Sequence, residues 1–134
     1  METVNQIEYN GALYNIQDTE AQKNLVYSQN EIDTGKIWID GKKIYRKVFD
    51  CGYLLDNDEK QIKHNIENID KIIKINGISY QAGGDCMPLP HVYNVEKGQG
   101  SITLYANKTD IVIITYGDRT DVQALITLEY TKTN

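Results

Sequence analysis

Thr34-Gly35-Lys36-Ile37-Trp38-Ile39-Asp40-Gly41-Lys42-Lys43-Ile44-Tyr45-Arg46-Lys47 carries the strongest short-range hairpin signal in the chain. Asp40-Gly41 lies between two apolar-rich runs. A two-residue type I′ turn needs positive φ at both central positions, which Asp-Gly accepts more readily than almost any other pair. The spacing predicts a hairpin with Ile39 opposite Lys42, Trp38 opposite Lys43, Ile37 opposite Ile44 and Lys36 opposite Tyr45. In that register Ile37, Ile39, Ile44 and Val48 share one face, and Trp38, Tyr45 and Phe49 share the other with Lys36, Lys43 and Lys47. Both faces then need cover, which places the hairpin in a β-sandwich or at a contact between chains.

Working outward, the same chemistry recurs. Ile7-Glu8-Tyr9-Asn10-Gly11-Ala12-Leu13-Tyr14-Asn15-Ile16 predicts a hairpin turned by Asn10-Gly11, with Ile7, Tyr9, Ala12, Tyr14 and Ile16 on one face. Thr19 and Gln22 are spaced as a capping box, so a short helix is expected from about Asp18 to Val26 or Tyr27. Residues 28–33 are polar and unpatterned, and the boundary between residues 1–27 and a main domain of residues 28–134 falls there. Residues 53–60 read as a loop or turn.

Residues 59–76 carry two conflicting patterns. Ile62, Ile66, Ile69 and Ile73 recur at intervals of four, three and four, as on one face of a helix. Isoleucine is β-branched, however, and a hairpin at Asn76-Gly77 needs a strand before it. With that turn, Ile73, Ile75, Ile78 and Tyr80 share a face. Gly83-Gly84-Asp85 with Pro88 and Pro90 makes residues 81–90 a loop by composition. Strands follow at Ser101–Ala106, Ile111–Tyr116 and Val122–Thr131, separated by turns at residues 107–110 and 117–121. Val122, Ala124, Ile126, Leu128 and Tyr130 line one face of the last strand. The expected class is mainly β: an antiparallel β-sandwich of jelly-roll-like type behind a short N-terminal hairpin-helix element.

The run Gly35 to Lys47 resembles the opening of a β-rich domain found at the C-terminal end of bacteriophage tail and fibre proteins, whose pattern is roughly W-I-D-G-K-P-I-Y-x-K. This chain departs from it at Lys43, where proline is common. His64-Asn65-Ile66-Glu67-Asn68-Ile69-Asp70 and the closing Ile126-Thr127-Leu128-Glu129-Tyr130-Thr131-Lys132-Thr133-Asn134 extend the resemblance over about residues 28–134. It implies a strand near residues 61–64, a helical turn around 65–70 and a strand over 71–76. The N-terminal unit is similar to a small element of phage fibres that sits ahead of a shaft. About ten helical residues are too few for a coiled coil, so residues 1–27 are expected to be an attachment knob or trimer clasp.

The resemblance further implies a virion protein, made in the bacterial host cytoplasm and assembled as a homotrimer. Another virion structural protein would hold it through Ile7, Tyr9, Tyr14 and Ile16. Trp38, Tyr45 and Phe49 are the expected subunit-interface residues, and a host cell-surface polysaccharide is the expected ligand.

Composition narrows the chemistry. The chain has 134 residues, 40% of them hydrophobic and 25% charged, with ten tyrosines against one phenylalanine. Tyrosine suits half-buried strands, and also wet interfaces and sugar-binding surfaces. A net charge of −5 and a pI near 5.0 argue against a nucleic-acid partner, which needs a concentrated basic surface. No apolar run approaches a membrane span, and with Met1-Glu2-Thr3-Val4 at its start the chain is expected to carry no signal peptide. Cys51 and Cys86 lack metal or redox spacing, so two reduced structural thiols are expected, with neither metal nor cofactor.

No Ser/His/Asp or Cys/His order is suggested, and no pair of carboxylates stands out for glycoside cleavage, so the chain is not expected to be an enzyme. His64 is expected to pin its turn through a side-chain hydrogen bond. Asp118 and Asp121 flank a turn that could hold calcium, but aspartate is common in turns without it. Loops on a rigid scaffold carry recognition most often. His91 and Tyr93, after the two prolines, are therefore the first candidates for ligand contact, with Asp118 and Asp121 beside them.

Overall fold

The computed structural model describes residues 6–9, 12–15, 26–92 and 100–133, the first two stretches as backbone. Its strands are β1 (Gln6–Tyr9), β2 (Ala12–Asn15), β3 (Ile32–Ile37), β4 (Lys43–Tyr53), β5 (Glu59–Lys63), β6 (Ile69–Gln81), β7 (Cys86–Leu89), β8 (Ser101–Ala106), β9 (Asp110–Tyr116) and β10 (Val122–Lys132). All pairings are antiparallel. The strands β3-β4-β10-β6-β7 make a five-stranded sheet, β5-β9-β8 a three-stranded sheet, and β1-β2 a separate ribbon. Among the described residues no helix is present.

The last strand is the centre of the larger sheet. β10 lies between β4 and β6, and Val122, Ala124, Ile126, Leu128 and Tyr130 are all buried, as the alternation in sequence predicts. They meet Ile102, Ile111 and Ile113 of the smaller sheet in one core, joined by Cys51, Leu54, Ile66, Ile69 and Leu89. The strands expected at residues 101–106, 111–116 and 122–131 are thus found, as are the turns between them. In the first hairpin Tyr9 pairs with Ala12; the turn expected at Asn10-Gly11 lies outside the described residues. The helix expected from Asp18 lies outside the described residues except at its end, where Val26 and Tyr27 are not helical.

The Asp40-Gly41 hairpin forms, but its register is corrected by one residue. Trp38 N–H donates to the Lys42 carbonyl (2.8 Å) and Gly41 N–H to the Trp38 carbonyl (2.9 Å), with Gly41 at φ +85°. The loop is therefore Ile39-Asp40-Gly41, a tight turn closed by a left-handed glycine, the next most common hairpin connection after the two-residue kind. Asp40 Oδ1 favours it by accepting the Lys42 N–H (3.0 Å). Ile37 pairs with Lys43, and residues 34–36 all stand opposite Ile44. The Thr34 hydroxyl donates to the Ile44 carbonyl (2.7 Å), and Gly35 takes φ +76°. A one-residue slip exchanges the faces. Ile37 and Ile39 end 60% and 91% exposed, while Ile44 is buried.

Three further expectations are corrected. Asn76-Gly77 is not a turn: β6 runs straight through it, pairing with β10 from Ile69 to Gln81. A Cβ on Gly77 would lie 2.7 Å from Leu89 Cβ and 3.0 Å from both Ile126 Cδ1 and Leu104 Cδ2. Glycine is there for space in the core. Ile75 and Ile78 consequently sit on opposite faces, because Ile75 pairs with the buried Leu128 and Ile78 with the half-buried Leu125.

Residues 81–90 are not all loop. Gln81 N–H donates to the Asp85 carbonyl (2.8 Å) and Gly84, at φ +96°, to the Gln81 carbonyl (3.0 Å), repeating the Trp38–Lys42 turn. β7 follows, with Pro88 tolerated because this strand is a sheet edge. The expected helical turn at 65–70 is instead a bend in which Asn65 and Asn68 adopt φ +56° and +57°.

Candidate functional site

The register brings two tyrosines to one row on the outer face of the five-stranded sheet. Gln123 of β10 pairs with Tyr53 of β4 on one side and with Tyr80 of β6 on the other, and Tyr80 pairs with Cys86 of β7. Tyr53 is 56% and Tyr80 44% exposed. With strands spaced ~4.8 Å, the two tyrosine positions stand roughly 10 Å apart across the amide of Gln123. Tyr53, Tyr80, Gln81, Ala82, Asp121 and Gln123 line a shallow cleft of about 220 Å³ here.

A bulge in β4 turns Tyr53 outward. Phe49 pairs with the buried Ile126, and strict alternation from there would send Tyr53 inward. The register slips between Ala124 and Leu125, leaving Cys51 as an extra residue whose side chain enters the core. Gly52, at φ +65°, supplies the left-handed residue, and its N–H donates to Asp50 Oδ1 (2.9 Å). Lys60 of β5 holds the bulge from the other sheet, its ammonium donating to the carbonyls of Cys51 (2.7 Å) and Tyr53 (2.6 Å). Cys51, Gly52 and Lys60 therefore set the direction of Tyr53. Sequence reasoning missed the Tyr53–Tyr80 pair because neither the bulge nor the straight course of β6 shows in local pattern.

Of the four residues expected to bind a ligand, the structure describes three, and these do not line one cleft. Asp121 lines the cleft; His91 and Asp118 do not, and Tyr93 lies outside the described residues. His91 exchanges backbone hydrogen bonds with Ile102 at the start of β8 (2.9 and 2.7 Å). Asp118 spends its carboxylate locally, Oδ1 accepting from the Thr120 N–H (3.0 Å) and hydroxyl (2.7 Å), which holds its pKa below the usual carboxylate value. Among the described residues no three His, Cys, Asp or Glu side chains gather as a metal site.

The expected interface residues are placed differently from the sequence reading. Tyr45 and Phe49 share the face of β4 that packs against the core, where Tyr45 stacks on Tyr130 (centroids 6.2 Å apart). Both side chains are partly buried there. Trp38 is half-buried at the hairpin's end. Of the attachment residues, Ile7, Tyr9 and Tyr14 lie in the β1-β2 ribbon, and Ile16 lies outside the described residues.

His64 does what its position suggested. It is buried; its Nε2 lies 2.9 Å from the Asn107 carbonyl and its Nδ1 accepts the Ile66 N–H (3.1 Å). That pair of partners selects the neutral ring with its proton on Nε2. The ring ties the β5–β6 bend to the β8–β9 turn. The cysteines are free and unlike each other: burial pushes the Cys51 thiol up to about 11, whereas Cys86 is exposed on the edge strand and is no packed structural thiol. Among the described residues no helix is long and apolar enough to cross a membrane. Compared with protein-family models, characterised proteins and solved structures, the chain matches none.

Proposed function

We propose that this chain is a bacteriophage virion fibre protein, a non-enzymatic homotrimer whose two sheets form a jelly-roll-like β-sandwich that binds host-surface saccharide. The N-terminal element would join it to another virion protein. The resemblance of residues 35–47, 64–70 and 126–134 to the phage fibre domain supports the virion assignment.

The observation that carries the binding reading is the Tyr53–Gln123–Tyr80 row. Exposed aromatic side chains about two strand spacings apart offer apolar surface to sugar rings, and Gln81, Gln123 and Asp121 offer hydrogen bonds to hydroxyls. A cleft this shallow binds weakly, and three copies per trimer raise the avidity without new contacts. Purified protein titrated with host wall polysaccharide should shift the backbone NMR signals of residues 53, 80 and 123. Tyr53→Ala with Tyr80→Ala should abolish those shifts while the thermal melt stays within a few degrees. Unchanged binding by the double variant would refute the site.

A structural decoration without receptor binding is the second reading. Ile37 and Ile39, exposed at the hairpin tip, favour it because they suit a contact with a neighbouring virion protein. Light scattering on the purified chain tests the trimer in both readings; a monomer at micromolar concentration would refute it.

A further inference from the structure

We propose that the Tyr53–Tyr80 cleft prefers saccharides bearing a free ammonium group, that is amino sugars with unacylated nitrogen, over neutral and anionic ones. This rests on the saccharide reading above. Among the described residues Asp121 is the only charged side chain lining the cleft, so a cationic group on the ligand gains an attraction that a neutral sugar lacks and a uronate or phosphate reverses. Tyrosine rings add to the preference, because their faces attract cations.

The surroundings reinforce the sign. Antiparallel register brings the β4–β5, β6–β7 and β9–β10 connections to the same end of the molecule. Among the described residues these connections and the start of β5 carry Asp56, Asp58, Glu59, Asp85, Asp118 and Asp121 against Lys60 and Arg119. Both cations are engaged by backbone: Lys60 by the carbonyls of Cys51 and Tyr53, Arg119 by the carbonyl of Gly100. The opposite end mixes signs, with Lys42 held by Asp70 at 2.6 Å. The negative potential is therefore concentrated where the tyrosines are, beyond what a net charge of −5 spread evenly would give.

The test is calorimetric and NMR titration of the full chain with three probes: a glucosamine tetramer, an N-acetylglucosamine tetramer and a galacturonic acid tetramer. One ion pair at contact distance near water predicts about fivefold tighter binding of the glucosamine tetramer than of the N-acetylated one at low salt. High salt, or Asp121→Asn in a protein with an unchanged melt, should remove the difference. The galacturonic acid tetramer should bind weakest, and the shifted signals should centre on residues 53, 80, 121 and 123. Equal or tighter binding of the N-acetylated or acidic tetramer overturns the ammonium preference and leaves the saccharide reading standing. Shifts confined elsewhere overturn the site. Failure of the glucosamine tetramer beside positive binding in a wider glycan panel overturns the preference alone, and failure of every glycan overturns the saccharide reading with it.

Discussion

Gly41 and Gly77 each follow an Asp or Asn inside an isoleucine-rich run, yet the chain reverses at the first and passes straight through at the second. At Gly41 the requirement is conformational: φ is +85°, and an added Cβ would meet nothing within 4 Å. At Gly77 the requirement is spatial, since a Cβ would sit 2.7 Å from the backbone-anchored Cβ of Leu89 across the β6–β7 pair. An Asx-Gly pair in an apolar run thus has two meanings. It turns the chain where the strands beyond it can fold back on each other, and it thins a strand where another layer presses on it.

The largest expected effect tests the spatial half of that contrast. Gly77→Val should cost about 3 kcal/mol, the upper part of the range for overpacking, read as a lowered denaturation midpoint at unchanged m. Gly41→Ala should cost only about 1 kcal/mol, the penalty of a left-handed non-glycine residue. Asparagine separates the two sites further: Gly41→Asn should be nearly silent in a thermal melt, because Asn accepts positive φ, whereas Gly77→Asn should lower the melt about as much as Gly77→Val does. Equal tolerance at both positions would break the comparison.

The next effect concerns a turn held without glycine. His64→Ala leaves the Ile66 N–H and the Asn107 carbonyl without their ring partner, and should cost about 2 kcal/mol by equilibrium unfolding. Nitrogen-15 NMR of the wild-type ring should show the proton on Nε2; the opposite tautomer would contradict the hydrogen-bond assignment.

The smallest effect lies at the Lys42–Asp70 contact, which joins the end of the β3–β4 turn to the start of β6. Their mutual hydrogen bond lowers the Asp70 pKa and raises that of Lys42. A lowered carboxylate contributes stability above its ordinary pKa of 3.8 and loses it as pH falls through the lowered value. A raised lysine contributes below 10.5 and loses it as pH rises through the raised value. Asp70→Asn should therefore lower the melting temperature slightly at neutral pH and converge with wild type in strong acid. Both groups are near solvent, so salt should shrink the difference.

Much of the body was legible because its signals are local. The alternation from Val122 to Tyr130 named the buried face of the central strand, and the Gly, Asn and Asp turns marked out β8, β9 and β10. The position of His64 beside its turn indicated its structural role. The Tyr53–Tyr80 cleft was not legible. Tyr53 faces outward only because β4 bulges at Cys51-Gly52 and Lys60 reaches across from β5, and Tyr80 joins it only because β6 does not stop at Asn76. Of the residues singled out on loops, His91 pairs through its backbone with Ile102 and Asp118 accepts from Thr120, and neither lines the cleft.

Local pattern alone specifies that the chain is built of antiparallel strands, where the last three of them run, and which side of β10 is apolar. Each of these follows from a two-residue period or a turn residue acting on its immediate neighbours. Long-range packing sets the register of the Trp38–Lys42 hairpin, the unbroken course of β6, the pairing of β7 along its edge and the outward direction of Tyr53. Those depend on what packs against a residue from a distant part of the chain, and a glycine or a bulge takes its meaning only from that neighbour.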